Sequence, residues 1–151
     1  MNKYYVAYGS NLNLENMAYR CPTAKIVGKG MIRDYRLAFR GTATILKKKG
    51  AAVPVAVWEI DENCEKALDR YEGWPNFYRK EDIEVEMYDG KKITGMVYIM
   101  NHGRIDVPIY FYFETIQTGY EEIGLDMKYL DEAIDEVWRK KEKTDGPQMA
   151  Y

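Results

Sequence analysis

The sequence predicts a small α+β domain: a mixed, curled or barrel-like β-sheet surrounded by helices. Three observations carry this. β-prone runs occur early and in the middle of the chain. Helical periodicities fall between and after them. The order is not a regular βαβ alternation, and an Asp89-Gly90 turn signal demands at least one antiparallel hairpin.

Residues 3–8 (KYYVAY) form a compact β-prone run that stops at the turn formers Gly9-Ser10-Asn11. Leu14, Met17, Ala18 and Cys21 have helical spacing, and Pro22 closes that segment. Residues 30–40 read as a strand. Residues 41–50, with Gly41, three lysines and Gly50, read as a turn or exposed loop. Residues 52–60 read as a buried strand with Pro54 at its start or on an edge, since proline cannot donate to a ladder.

Asp61 has the place and chemistry of a helix N-cap, with Glu62 and Glu65 in the favourable first turn. Cys64, Ala67, Leu68 and Tyr71 share one face, and Gly73 is placed to end the helix, so Glu72 falls at its C-terminus. Residues 80–88 and 91–100 form the hairpin about Asp89-Gly90. A loop holding the sole histidine, His102, leads to Pro108, where a helix can begin. Ile109, Tyr112, Phe113, Ile116 and Tyr120 have helical spacing there, with Gly119 and Gly124 as candidate breakers. A last helix carries Leu130, Ala133, Ile134, Val137 and Trp138 on one face. The domain spans residues 1–141, and 142–151 read as a loose polar tail.

The 151 residues suffice for one domain with a real core, and a hydrophobic share of 46% argues against disorder. A net charge of -2 with no basic stripe makes nucleic acid a poor partner. No signal peptide and no apolar run long enough to span a membrane can be read, so the expected location is the cytoplasm. Cys21 and Cys64 fit neither a metal-ligand nor a redox spacing and read as two small buried apolar residues. The chain has 14 tyrosines against 4 phenylalanines, which fits either a half-wet core edge or a tyrosine-lined pocket.

No GxSxG, HExxH, P-loop or GxGxxG motif is present. One histidine cannot supply a His-rich metal site, so neither metal nor cofactor is expected. Two features remain. Tyr8-Gly9-Ser10-Asn11-Leu12 joins the first strand to the first helix, and consecutive amides there can hold a carboxylate or a developing oxyanion. Glu72, beside Tyr71, Gly73 and Trp74, sits at the negative end of a helix dipole. Partial burial would push its pKa toward the range of a general base and acid near neutral pH.

The two features together resemble the gamma-glutamylcyclotransferase-like family, which includes the AIG2-like proteins. Tyr8 to Leu12 after an N-terminal strand is one match. Residues 54–80 are a second, through Leu68-Asp69, Glu72-Gly73, Tyr78 and Arg79. A looser third is Pro108-x-x-x-Tyr112 followed by Gly119, Gly124-Leu125 and Tyr129. The similarity covers most of residues 3–130. Ile109 departs from a serine that the family often has after the proline. The resemblance implies a cofactor-free, metal-free enzyme that turns a small-molecule gamma-glutamyl amide into 5-oxoproline and a free amine or amino acid. Glu72 would be its catalytic base and acid, Tyr8, Gly9, Ser10, Asn11 and Leu12 its substrate loop, and Tyr78 and Tyr112 its pocket wall. A non-catalytic small-molecule binding module on the same fold is the alternative.

Overall fold

The computed structural model describes residues 2–149. Its centre is a closed five-stranded barrel of β1 (Lys3–Ala7), β2 (Lys25–Arg40), β3 (Thr42–Ile60), β4 (Tyr78–Met87) and β5 (Lys92–Met100), in the spatial order β1-β3-β2-β4-β5. Neighbours are antiparallel, except that β1 and β5 close the ring in parallel at Tyr5 and Met96. Closure removes free sheet edges, and alternate side chains fill the interior. Val6, Phe39, Ile45, Val53 and Val57 are buried there. Each such side chain contributes about 1.5–3 kcal/mol of apolar burial.

β2 and β3 are longer than the sequence suggests. Thr42–Gly50 is strand, not loop, and Thr42–Lys47 pairs with Tyr35–Arg40. Ala43 and Ile45 turn into the core while Lys47, Lys48 and Lys49 lie in the exposed stretch, which is how a lysine-rich segment can still be a strand. Gly41 makes the turn. The ladder shifts register at Asp34, which has φ 65° and accepts the Gly50 amide at 2.9 Å. Pro54 lies within β3 opposite Met31 and not at its start. The β1 ladder on the other side of β3 begins only at Ala56, so the proline stands where the strand is paired on one side.

Helix α1 (Leu14–Arg20) follows a 3-10 turn at Ser10–Leu12, and Asn13 caps it by accepting the Asn16 amide. Helix α2 (Glu62–Glu72) has the expected termini: Asp61 accepts the Cys64 amide at 2.8 Å, and Gly73 takes the left-handed conformation at φ 68°. Cys21 and Cys64 form a disulfide, with Cα atoms 5.0 Å apart. This corrects the reading of two independent apolar thiols. Their wide sequence separation hid the pairing, because α1 and α2 become neighbours only when β2 and β3 return the chain.

Helix α3 (Tyr110–Ile123) starts two residues after Pro108 and leaves Ile109 exposed. Gly119 does not break it. A methyl group there would lie 2.7 Å from Leu12 and 2.8 Å from the Asn13 amide, so the glycine lets α3 press against the 3-10 turn. Helix α4 (Lys128–Met149) packs Leu130, Ala133 and Val137 inward, whereas Trp138 is half exposed. Its backbone stays helical through Met149, beyond the boundary set at residue 141. Residues 150 and 151 of the expected tail lie outside the described residues. No helix among the described residues is long and apolar enough to cross a membrane.

Two outcomes are expected. Gly119→Ala should destabilise the protein by about 1–3 kcal/mol in urea denaturation, because backbone and not a flexible side chain occupies the space. Replacing both Cys21 and Cys64 by Ser should cost about 2–4 kcal/mol in the same assay, since the bridge closes a long loop.

Candidate active site

The chain leaves β1 at Tyr8 and turns at Gly9 into the 3-10 turn. This junction and the last turn of α2 border one cavity of about 190 Å³. Tyr8, Gly9, Ser10, Asn11, Glu72, Tyr78 and Tyr112, all singled out from sequence, line it. Leu12 does not. Its side chain is fully buried beneath the loop, and its amide donates to the Gly9 carbonyl at 3.0 Å. Leu12 is thus a core anchor of the turn, held at the place where Gly119 lets α3 approach. The amides of Gly9, Ser10 and Asn11 have no acceptor among the described residues.

Tyrosines fix the walls. Tyr8 donates to the Tyr98 carbonyl at 2.6 Å. Ala43 is gripped at both backbone groups: its amide donates to the Tyr112 hydroxyl at 2.9 Å and its carbonyl accepts from Tyr78 at 2.7 Å. The Ser10 and Tyr71 hydroxyls are 2.8 Å apart, which ties the loop to α2. Asn11 donates to Tyr5 at 3.0 Å and accepts from Arg20. Below Glu72, Tyr98 donates to Asp69 at 2.6 Å, and Lys80 bridges Glu65 and Asp69. Burial keeps the Tyr5, Tyr8, Tyr78 and Tyr112 phenols well above their usual pKa.

The Glu72 carboxylate makes no hydrogen bond or ion pair among the described residues. Burial pushes its pKa from 4.5 up to about 7, against an opposing pull from Arg20. Its place at the C-terminus of α2 works in the same direction as burial. Among the described residues no three His, Cys, Asp or Glu side chains converge as a metal site, and His102 is exposed. The sequence reading did not single out Tyr5, Arg20, Thr42, Ala43 or Tyr98. The excess of tyrosine was the signal for Tyr5 and Tyr98, but composition does not say which rings converge, and Arg20, Thr42 and Ala43 had no signal of their own.

A family model described as gamma-glutamyl cyclotransferase, AIG2-like, matches residues 5–118. The chain belongs to this family. It is 30% identical to a human gamma-glutamylcyclotransferase over 140 residues, covering 84% of this chain and 74% of that protein. Identity to the mouse gamma-glutamylcyclotransferase is 31% over 140 residues, with the same coverage. A solved gamma-glutamyl cyclotransferase structure superposes with a TM-score of 0.80 at 27% identity, over 88% of this chain and 86% of the other. YkqA from Bacillus subtilis shares the fold, with a TM-score of 0.75 at 19% identity over 90% of this chain and 54% of its own. The matched region of the family model contains the loop, Glu72, Tyr78 and Tyr112.

The raised Glu72 has a consequence for stability. The folded state holds this proton more tightly than the unfolded chain, so stability falls as pH rises between 4.5 and about 7. Above that the ionised carboxylate costs its full amount. Glu72→Gln should therefore melt at a higher temperature than the parent at pH 8, by the equivalent of about 2 kcal/mol. The gain should shrink to little at pH 4.5. Calorimetry at the two pH values checks both the sign and the window.

Proposed function

We propose that this chain converts a gamma-glutamyl amide, of an amine or of an amino acid, into 5-oxoproline and the free amine by intramolecular aminolysis. The observation that carries the reading is the pairing of an unpartnered, burial-raised Glu72 with the donor-rich Gly9–Asn11 loop across one small cavity, in a chain of this family. At about 190 Å³ the cavity is smaller than the 300–1,000 Å³ of a drug-sized site and suits one amino-acid-sized group.

The reaction requires the alpha-ammonium of the glutamyl group to lose a proton before its nitrogen can attack. Ionised Glu72 takes that proton. The amine then adds to the gamma-carbonyl and closes the five-membered ring. Glu72 returns the proton to the departing nitrogen as the amide bond breaks, then takes the second proton from the ring nitrogen and passes it to the freed amine, so that a neutral lactam and an ammonium result. Free amides of Gly9, Ser10 and Asn11 serve either the glutamyl carboxylate or the oxyanion at the gamma-carbon. Tyr78 and Tyr112, fixed on Ala43, hold the glutamyl chain folded so that nitrogen and carbon meet. Every atom of the products comes from the substrate, so no co-reactant is needed.

The test is 5-oxoproline release from a panel of gamma-glutamyl amines and amino acids. Turnover by the parent should fall as pH drops below about 7, as Glu72 takes up its proton. Glu72→Gln should lose about 100-fold or more in turnover while still binding substrate. A well-folded Gln variant with near-normal turnover overturns the assignment. Binding without release by the parent would favour a binding module instead.

A further inference from the structure

Arg20 is the last residue of α1, and its side chain reaches back over the loop. Its guanidinium lies 3.5 Å from the centroid of the Tyr71 ring, stacked on its face. The same group donates to the Asn11 side-chain oxygen. Asn11 in turn donates to Tyr5, and Tyr71 meets Ser10, so Arg20 sits in a network that joins β1, the loop, α1 and the end of α2. Cys21, the next residue, is bonded to Cys64 of α2, which fixes the backbone from which Arg20 projects. Among the described residues no other side chain ties the donor loop to the helix turn that bears Glu72 through both a charge and a planar stack.

We propose that Arg20 is a positioning residue of this site: clamped between Asn11 and Tyr71, it holds the Ser10–Asn11 loop against the end of α2 and sets a cation on the residue next to Glu72. The inference rests on the cyclisation reading for its kinetic arm only. The titratable groups that share the cavity with Glu72 are the phenols of Tyr5 and Tyr8 from β1 and its end, Tyr71 from α2, Tyr78 from β4, Tyr98 from β5 and Tyr112 from α3, and Arg20 from α1 lies over Tyr71. Arg20 is the one cation among them. Among the described residues none of these phenols donates a hydrogen bond to the carboxylate. A planar guanidinium can stack and donate at once, whereas an ammonium has only its charge.

Two variants separate the charge from the clamp. Arg20→Gln removes the charge. The Glu72 carboxyl, followed by carbon-13 NMR, should then titrate at higher pH by roughly one unit. The acid limb of kcat/KM should move with it, and turnover lost at pH 7 should return by pH 9. Arg20→Lys keeps the charge and loses the stack. Its Glu72 titration should stay near that of the parent, while KM rises about tenfold as the loop loosens. An unmoved Glu72 titration in a folded Gln variant overturns the electrostatic role. Unchanged kcat and KM in the Lys variant overturn the clamp, and that arm decides the proposal if the Gln variant does not fold. A residue of purely structural importance would lower the melting temperature and leave the titration where it was. The NMR arm needs no turnover. A parent that fails to release 5-oxoproline would refute the cyclisation reading and leave the Arg20–Glu72 coupling to be judged by titration alone.

Discussion

A half-buried carboxylate with no direct partner among the described residues is the constraint around which this molecule is organised. Glu72 gains nothing from its own helix, since the dipole of α2 opposes a negative charge at that end. It gains no hydrogen bond from any of the described residues. Such a group can persist only if the rest of the structure over-determines its place. Asp61 and Gly73 cap α2 at both ends, Asp69 ties it to Tyr98 of β5, and the disulfide ties its first turn to the end of α1. Stability is sacrificed at one residue and recovered in the helix that carries it.

The barrel serves the same end from the other side. β1 is only five residues long, and its parallel contact with β5 completes the ring. The chain therefore leaves the barrel early, at Tyr8, and the next three residues lie over the rim instead of continuing a ladder. Their amides are left without partners among the described residues for that reason. Tyr78 from β4 and Tyr112 from α3 converge on Ala43 at the start of β3, where three elements meet at the same rim. The long β2–β3 ribbon is what brings Ala43 there.

Much of this was legible in the residues. The caps of α2, the Asp89-Gly90 hairpin and the position of Glu72 depend on interactions between near neighbours in sequence, and local chemistry is enough to read them. Lysines and glycines masked the first half of β3, because a strand that is exposed on part of its length carries loop-like composition. Gly119 was read as a breaker because a close approach between helix and loop leaves no trace in periodicity. The disulfide and the Arg20 network depend on two segments meeting after the long β2–β3 excursion, and nothing in either segment announces the other. Leu12 was grouped with the loop because it follows Asn11, yet one step along a 3-10 turn is enough to swing a side chain from cavity to core.

The tyrosine wall has an implication for how the cavity behaves as a chemical environment. The phenols of Tyr5, Tyr8, Tyr78 and Tyr112 are kept neutral by burial far into the alkaline range. Within the cavity a single proton is then exchangeable around neutrality, the one on Glu72. The enclosure works as a one-proton compartment: its hydroxyls contribute fixed dipoles, and acid and base are successive states of the same atom pair. A chemistry that needs two separately tuned proton carriers has no second carrier in this wall, whereas one that takes a proton from one nitrogen and hands it to another needs only what is there.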